Sequence, residues 1–113
     1  MPRPSARVER PLAMTLAAAA HAARARAGLT QAEVARRVGV QLEVYGRIER
    51  GEVFPSVPTL RRICVVLEIP SDELLGLESP DMRRLVSAAR GLKLPQLRLL
   101  HRLAETLQSP PRE

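Results

Sequence analysis

The chain has 113 residues, 18 of them Lys or Arg and 12 Asp or Glu, with a formal net charge of +6, one cysteine and only 2% aromatic residues. That length suits one domain, or a small domain with an extension, and leaves little room for a large enzyme cleft. One cysteine excludes a disulfide scaffold or a cysteine-based zinc cluster and fits a reducing compartment, while no apolar run approaches the roughly 18 residues of a membrane span. The Pro/Arg-rich start is followed by no signal-peptide core, so the expectation is a soluble, cytoplasmic chain with no membrane partner. Apolar residues make up 45%, so the core must be built from Leu, Val, Ile and Ala, which suits short, closely packed helices. All but one of the basic residues are Arg, the exception being Lys93. A GC-rich genome produces such a bias by itself, so position carries more than number. Residues 1–51 hold nine Arg against four acids, whereas residues 52–113 hold nine basic groups against eight acidic ones. A polyanion partner is therefore to be sought in the first half.

Residues 1–11, with three Pro and three Arg, show no apolar period and are expected to form a mobile basic arm. An Ala-rich helix is predicted over residues 12–27, stopped by Gly28. Thr30-Gln31-Ala32-Glu33 has the form of a capping box and opens a two-turn helix closed by Gly39. A third helix is predicted over residues 40–50, with Val40, Val44, Tyr45 and Ile48 on one side and Gly51 at its end. Ser56 caps a fourth over residues 57–67, where Pro58 is tolerated in the first turn and Leu60, Ile63, Cys64 and Leu67 form the inward stripe. After Pro70, Ser71 is expected to cap a short fifth helix whose Asp72 and Glu73 suit its positive end. Ser79-Pro80-Asp81 opens a sixth helix, with Met82, Leu85, Val86 and Ala89 inward and Gly91 at its end. A last helix starts at Pro95 and carries Leu97, Leu100, Leu103, Ala104 and Leu107 before Ser109-Pro110-Pro111. No strand pattern competes, so the fold class is all-α.

Residues 29–51 form the informative unit: a two-turn helix, a tight turn at Gly39, and a second helix free to enter a major groove. Its blocks, in order, are Gly28-Leu29-Thr30-Gln31, Val34-Ala35, Val38-Gly39-Val40, Arg47-Ile48-Glu49-Arg50-Gly51 and Pro55-Ser56-Val57-Pro58-Thr59-Leu60. Together they resemble the lambda-repressor/Cro-type (XRE-like) helix-turn-helix family over residues 12–77. The resemblance implies a five-helix DNA-binding domain that usually acts as a dimer on an inverted repeat. It implies that Gln31 bonds a DNA phosphate and braces the recognition helix, and that Gln41, Leu42, Glu43 and Arg47 face base edges. It further implies a structural ion pair between Arg24 and Glu49.

Chemistry supports several of these roles independently. Arg47 offers two donors to guanine O6 and N7, Glu43 accepts from cytosine N4, and Leu42 touches a thymine methyl. Arg36, Arg37 and Arg50 are placed for phosphates, each worth about −0.9 in the log–log salt slope. Each assignment has a plainer competitor. Glu43 also serves as an acid complementing the helix dipole. Gly46, which costs roughly 1 kcal/mol of helix propensity, marks either close backbone approach to DNA or a crowded face. Tyr45 is expected in the core with its hydroxyl reaching the surface, Phe54 packed under the fourth helix, and Cys64 a buried small hydrophobe. The arm either tracks DNA or is simply disordered.

His21 and His101 are far apart with no metal-ligand spacing, and no phosphate loop, nucleophile elbow or carboxylate pair appears. No catalytic residues, metal or cofactor are expected. Residues 79–108 carry too much Leu for a lone helical hairpin. Leu85, Leu97, Leu100, Leu103 and Leu107 are expected to dimerise the chain, the alternative being a lid over helices one and five. The resulting expectation is a nucleoid-associated regulator, most simply a repressor, with double-stranded DNA and a second copy as partners. The alternative is a helix-turn-helix module whose recognition face binds a protein, as an anti-repressor or antitoxin does.

Overall fold

The computed structural model describes residues 9–110. Seven helices occur among them and no strand: α1 (Glu9–Ala27), α2 (Gln31–Val38), α3 (Leu42–Glu49), α4 (Val57–Leu67), α5 (Ser71–Leu74), α6 (Pro80–Arg90) and α7 (Leu94–Gln108). The chain divides into two units, Met1–Glu78 and Ser79–Glu113. The arm expected over residues 1–11 lies outside the described residues up to position 8, and its last three residues belong to α1. Pro11 is no obstacle there, because a first-turn residue has no helical acceptor for the N–H that proline lacks. The Pro11 carbonyl instead accepts from Thr15 Oγ1 at 3.0 Å.

In the first unit α1 packs on α3, α4 and α5, while α2 packs on α3 and α4. Leu16, Ala20 and Ala23 of α1 meet Val34, Ala35 and Val38 of α2, Tyr45 and Ile48 of α3, Ile63 and Leu67 of α4, and Leu74 of α5. The small side chains of Ala20, Ala23 and Ala35 let these short helices approach closely without aromatic filler. Each fully buried aliphatic side chain contributes about 1.5–3 kcal/mol against the entropy of ordering the chain. Val53 and Ile69, from the connecting loops, complete the core. Leu60 and Cys64 of the expected inward stripe are only half-buried, which corrects the reading of Cys64 as a fully buried hydrophobe.

Local chemistry sets the turn between α2 and α3. Thr30 accepts from Glu33 N–H at 3.1 Å and the Glu33 carboxylate accepts from Thr30 N–H at 3.2 Å, closing the box that starts α2. Gly39 ends it with φ 87°, a left-handed conformation open to glycine at little steric cost. The N–H groups of Gly39 and Val40 both donate to Ala35 O, at 2.9 and 3.0 Å. Val40 therefore belongs to the turn, and Gln41, with ψ 149°, is the N-cap of a third helix that starts at Leu42, two residues later than predicted.

Ser56 caps α4 by accepting from Thr59 N–H at 3.3 Å. The short α5 is capped by Pro70 rather than by Ser71, because the Pro70 carbonyl accepts its first bond, from Leu74 N–H at 3.1 Å. In the second unit Ser79 caps α6 through Met82 N–H at 3.1 Å, and Gln96 Oε1 accepts from Lys93 N–H at 2.9 Å to start α7. Neither helix buries a residue. Val86, Ala89 and Leu100 are half-buried, whereas Met82, Leu85, Leu97, Leu103 and Leu107 are exposed, so within one chain Met82 and Leu85 do not face inward as expected.

Candidate nucleic-acid interface

The site begins with what holds α3 in place. Its inner side is Tyr45 and Ile48, both with no exposed surface, and its C-terminal turn is pinned through Glu49. Arg24 of α1 grips that carboxylate with two donors, Nε to Oε2 at 2.7 Å and Nη2 to Oε1 at 3.0 Å. The third donor, Nη1, goes to Leu29 O at 3.0 Å, tying the α1–α2 turn into the same knot. Gln31 Nε2, in the first turn of α2, donates to Glu49 Oε1 at 3.4 Å, and His21 Nδ1 lies 3.1 Å from the same oxygen. The Glu49 side chain is 2% exposed, so an ionised carboxylate is tolerable only because it is this fully paired.

Burial pushes the Glu49 carboxyl up, but hydrogen bonds from Arg24, His21 and Gln31, with the Tyr45 hydroxyl close by, outweigh it and hold the group below the ordinary glutamate range. The hydrogen bond to Glu49 raises the Arg24 pKa in turn. The Tyr45 hydroxyl is buried rather than at the surface, which corrects the sequence expectation. It lies beside Glu49 without a hydrogen bond of good geometry, and burial, more than the neighbouring carboxylate, drives its pKa far upward.

The outer side of α3 carries the groups with chemistry to offer. Gln41, Leu42, Glu43 and Arg47 are all exposed. Glu43 and Arg47 face each other one turn apart, with Arg47 Nη2 donating to Glu43 Oε1 at 3.1 Å. Arg50, just past the helix, donates Nε to Glu52 Oε1 at 3.0 Å and Nη2 to Oε2 at 3.4 Å. Arg36 and Arg37 stand exposed in the last turn of α2. Gly46 lies under this surface. A Cβ there would come within 3.1 Å of Arg50 Nη1 and 3.6 Å of Gln31 Oε1, so the crowded-face reading of this glycine fits the geometry.

Two features of this surface were missed from the sequence. A cleft of about 510 Å³ is lined by Arg10, Met14, Arg47, Arg50, Gly51, Glu52 and Val53, and neither Arg10 nor Glu52 was singled out. His21 was considered only as a metal ligand, whereas it joins the Glu49 cluster. An apolar groove of about 420 Å³ on α4 and α5, lined by Val57, Leu60, Cys64, Val65 and Ile69 among others, was also unforeseen. Phe54 is half-buried in the loop before α4.

Five helices with a two-helix unit whose second member is braced from behind and exposed in front define a helix-turn-helix domain. A family model described as a helix-turn-helix domain matches residues 15–77, and the chain belongs to this family, of the lambda-repressor/Cro type. The cryptic phage CTXphi transcriptional repressor RstR of Vibrio cholerae serotype O1 is 40% identical over 52 residues, which are 46% of this chain and 46% of the relative. The chain thus spans less than half the length of that curated relative. The crystal structure of a hypothetical transcription factor, NHTF from Neisseria, superposes with a TM-score of 0.57 at 22% identity. That match covers 76% of this chain and 93% of the other, and at this identity the likeness speaks for the fold.

Proposed function

We propose that this chain is a sequence-specific duplex-DNA-binding transcriptional regulator that represses by occupying an inverted-repeat operator as a homodimer. The observation that carries the reading is the exposed edge of α3, where Gln41, Leu42, Glu43 and Arg47 stand outward on a helix fixed from behind by Arg24 and Glu49. Rigid presentation matters because base readout depends on donors and acceptors held at the spacing of base edges. Arg47 reads guanine and Glu43 reads cytosine N4 once their mutual ion pair opens, while Leu42 packs on a thymine methyl. Gln31, Arg36, Arg37 and Arg50 hold the flanking phosphates, which set register rather than sequence. The repressor named among the relatives supports repression as the mode of action.

Selection from a random duplex library, run with the wild type beside Arg47→Ala, tests this reading. The expected result is an enriched inverted repeat that the variant loses or relaxes at one position, worth about 1–3 kcal/mol of discrimination. No enrichment at low salt by the folded protein would overturn operator binding. It would favour a protein partner for the same helix, a reading supported by half-exposed Leu42 and the acidic Glu43 on its outer face.

A further inference from the structure

The cleft between the first turn of α1 and the end of α3 carries more positive charge than the fold requires. Among the described residues, three guanidiniums (Arg10, Arg47, Arg50) line it against one carboxylate, Glu52. Arg10 is exposed and lies in the first turn of α1. A cation at that end opposes the helix dipole, so its position costs stability rather than supplying it. The cleft floor is closely packed. Gly51 has φ 73° and approaches Met14 so closely that a Cβ would collide with the Met14 sulfur. Arg10, one helical turn before Met14, is thereby kept on the side where Arg50 stands.

Arg50 and Glu52 indicate what kind of ligand fits. The guanidinium donates Nε and Nη2 to the two Glu52 oxygens, the fork geometry by which arginine also grips the paired oxygens of a phosphate. Both side chains are about half exposed, so the pair contributes little and opens readily. Arg47 lines the cleft and also stands on the outer face of α3, making the cleft continuous with the reading surface.

We propose that this cleft seats one phosphodiester of the DNA backbone, gripped by Arg10 and Arg50, and that Glu52 occupies Arg50 as an internal substitute when DNA is absent. The proposal rests on the DNA-binding reading and extends it in two ways. It adds Arg10 to the phosphate contacts, and it makes Glu52 a determinant of specificity. Its carboxylate competes with any backbone, so binding without good base contacts is penalised.

The test uses the full chain and fluorescence anisotropy on two duplexes, one of random sequence and one from selection, across about 50–200 mM salt, where phosphate contacts register in the slope. Arg10→Gln is expected to flatten the log–log slope by about 0.9 on both duplexes alike and to leave the selected sequence unchanged. Arg10→Lys should retain the slope. Glu52→Gln is expected to tighten binding to the random duplex severalfold and to narrow the ratio between the two. Helix content and melting temperature of Arg10→Gln should match or exceed the wild type, separating lost contact from lost fold. Wild-type slope and affinity in Arg10→Gln would overturn the proposal. Inorganic phosphate added at constant ionic strength should leave duplex binding intact; displacement at low millimolar concentration would mark a free-phosphate site and overturn it as well. If the wild type binds neither duplex in a salt-dependent way, the DNA reading itself falls and takes the cleft assignment with it, a result distinct from failure of Arg10 alone.

Discussion

Glu49 is the residue on which the orientation of α3 turns, and its chemistry makes stability depend on pH in a defined direction. Its folded-state pKa lies below the ordinary 4.5, so the stability it contributes is fully present above that value and is lost as pH falls through the lower, folded one. Glu49→Gln removes the charge while keeping the shape. The wild type is expected to be more stable than Glu49→Gln at neutral pH, with the difference shrinking below about pH 4.5 as unfolded glutamate takes up its proton. Urea melts of both proteins from neutral pH into acid would check this, and a pH-independent difference would refute it. Arg24→Ala is harsher, because it leaves a buried carboxylate bonded only to His21 and Gln31, at a cost of about 3 kcal/mol. Little of this cluster was legible as geometry in the sequence. The Arg24–Glu49 pair was available only through family resemblance, since partners 25 positions apart follow no helical spacing. Arg50 and Glu52 meet across a turn, and Arg10 reaches the site only because α1 folds against the end of α3. Glu43 and Arg47, by contrast, are one turn apart on a single helix and could be placed directly.

At the level of helices and turns, the two glycines that close α2 and α3 have left-handed backbones but different surroundings. A Cβ at Gly39 would meet only Arg62 Nη1, at an ordinary 3.7 Å, whereas at Gly51 it would collide with Met14. Gly39→Ala should therefore cost about the 1–2 kcal/mol of the left-handed conformation alone. Gly51→Ala should cost clearly more, and Met14→Ala in that background should recover part of the excess. Equilibrium denaturation of the four proteins gives the comparison, and equal losses at the two glycines would show that the α1–α3 corner yields. Helix limits were legible wherever a side chain caps them: Thr30 and Glu33 on α2, Ser56 on α4 and Ser79 on α6. They shifted where the backbone decides. Val40 continues the apolar period of α3, yet its N–H is committed to Ala35 O. Ser71 has a capping side chain, yet the Pro70 carbonyl takes the first helical bond. The end of α4 fell where predicted, at Leu67, although no glycine marks it and Glu68 itself adopts the left-handed conformation, with φ 52°.

For the whole molecule, the two-fold operator we propose and the second unit raise one question: what covers α6 and α7. Neither helix buries a residue, and Met82, Leu85, Leu94, Leu97, Leu99, Leu103 and Leu107 are all exposed. Contiguous exposed apolar surface is characteristic of interfaces, and we propose that a second copy covers this one. A two-fold operator requires two reading heads at a fixed separation, and an isologous contact between identical helix pairs supplies that symmetry. Helices of 11 and 15 residues extend about 16 and 22 Å at 1.5 Å per residue. Two copies packed as a four-helix bundle can approach the roughly 800 Å² per partner of a standard interface. We therefore expect sedimentation equilibrium to give twice the chain mass of 12.5 kDa. Leu103→Glu or Leu97→Glu should yield monomers, since each would bury a carboxylate among leucines. The monomeric variants should keep the helix content and melting cooperativity of the first unit, because none of its core residues comes from α6 or α7. On a two-half-site duplex they should bind weakly and at each half-site independently, whereas the wild type should bind both together. A wild type that sediments as a monomer at micromolar concentration, or a Leu103→Glu variant that remains a dimer, would move the interface elsewhere. The apolar groove on α4 and α5 would then be the next surface to substitute, beginning with exposed Val57 and Val65.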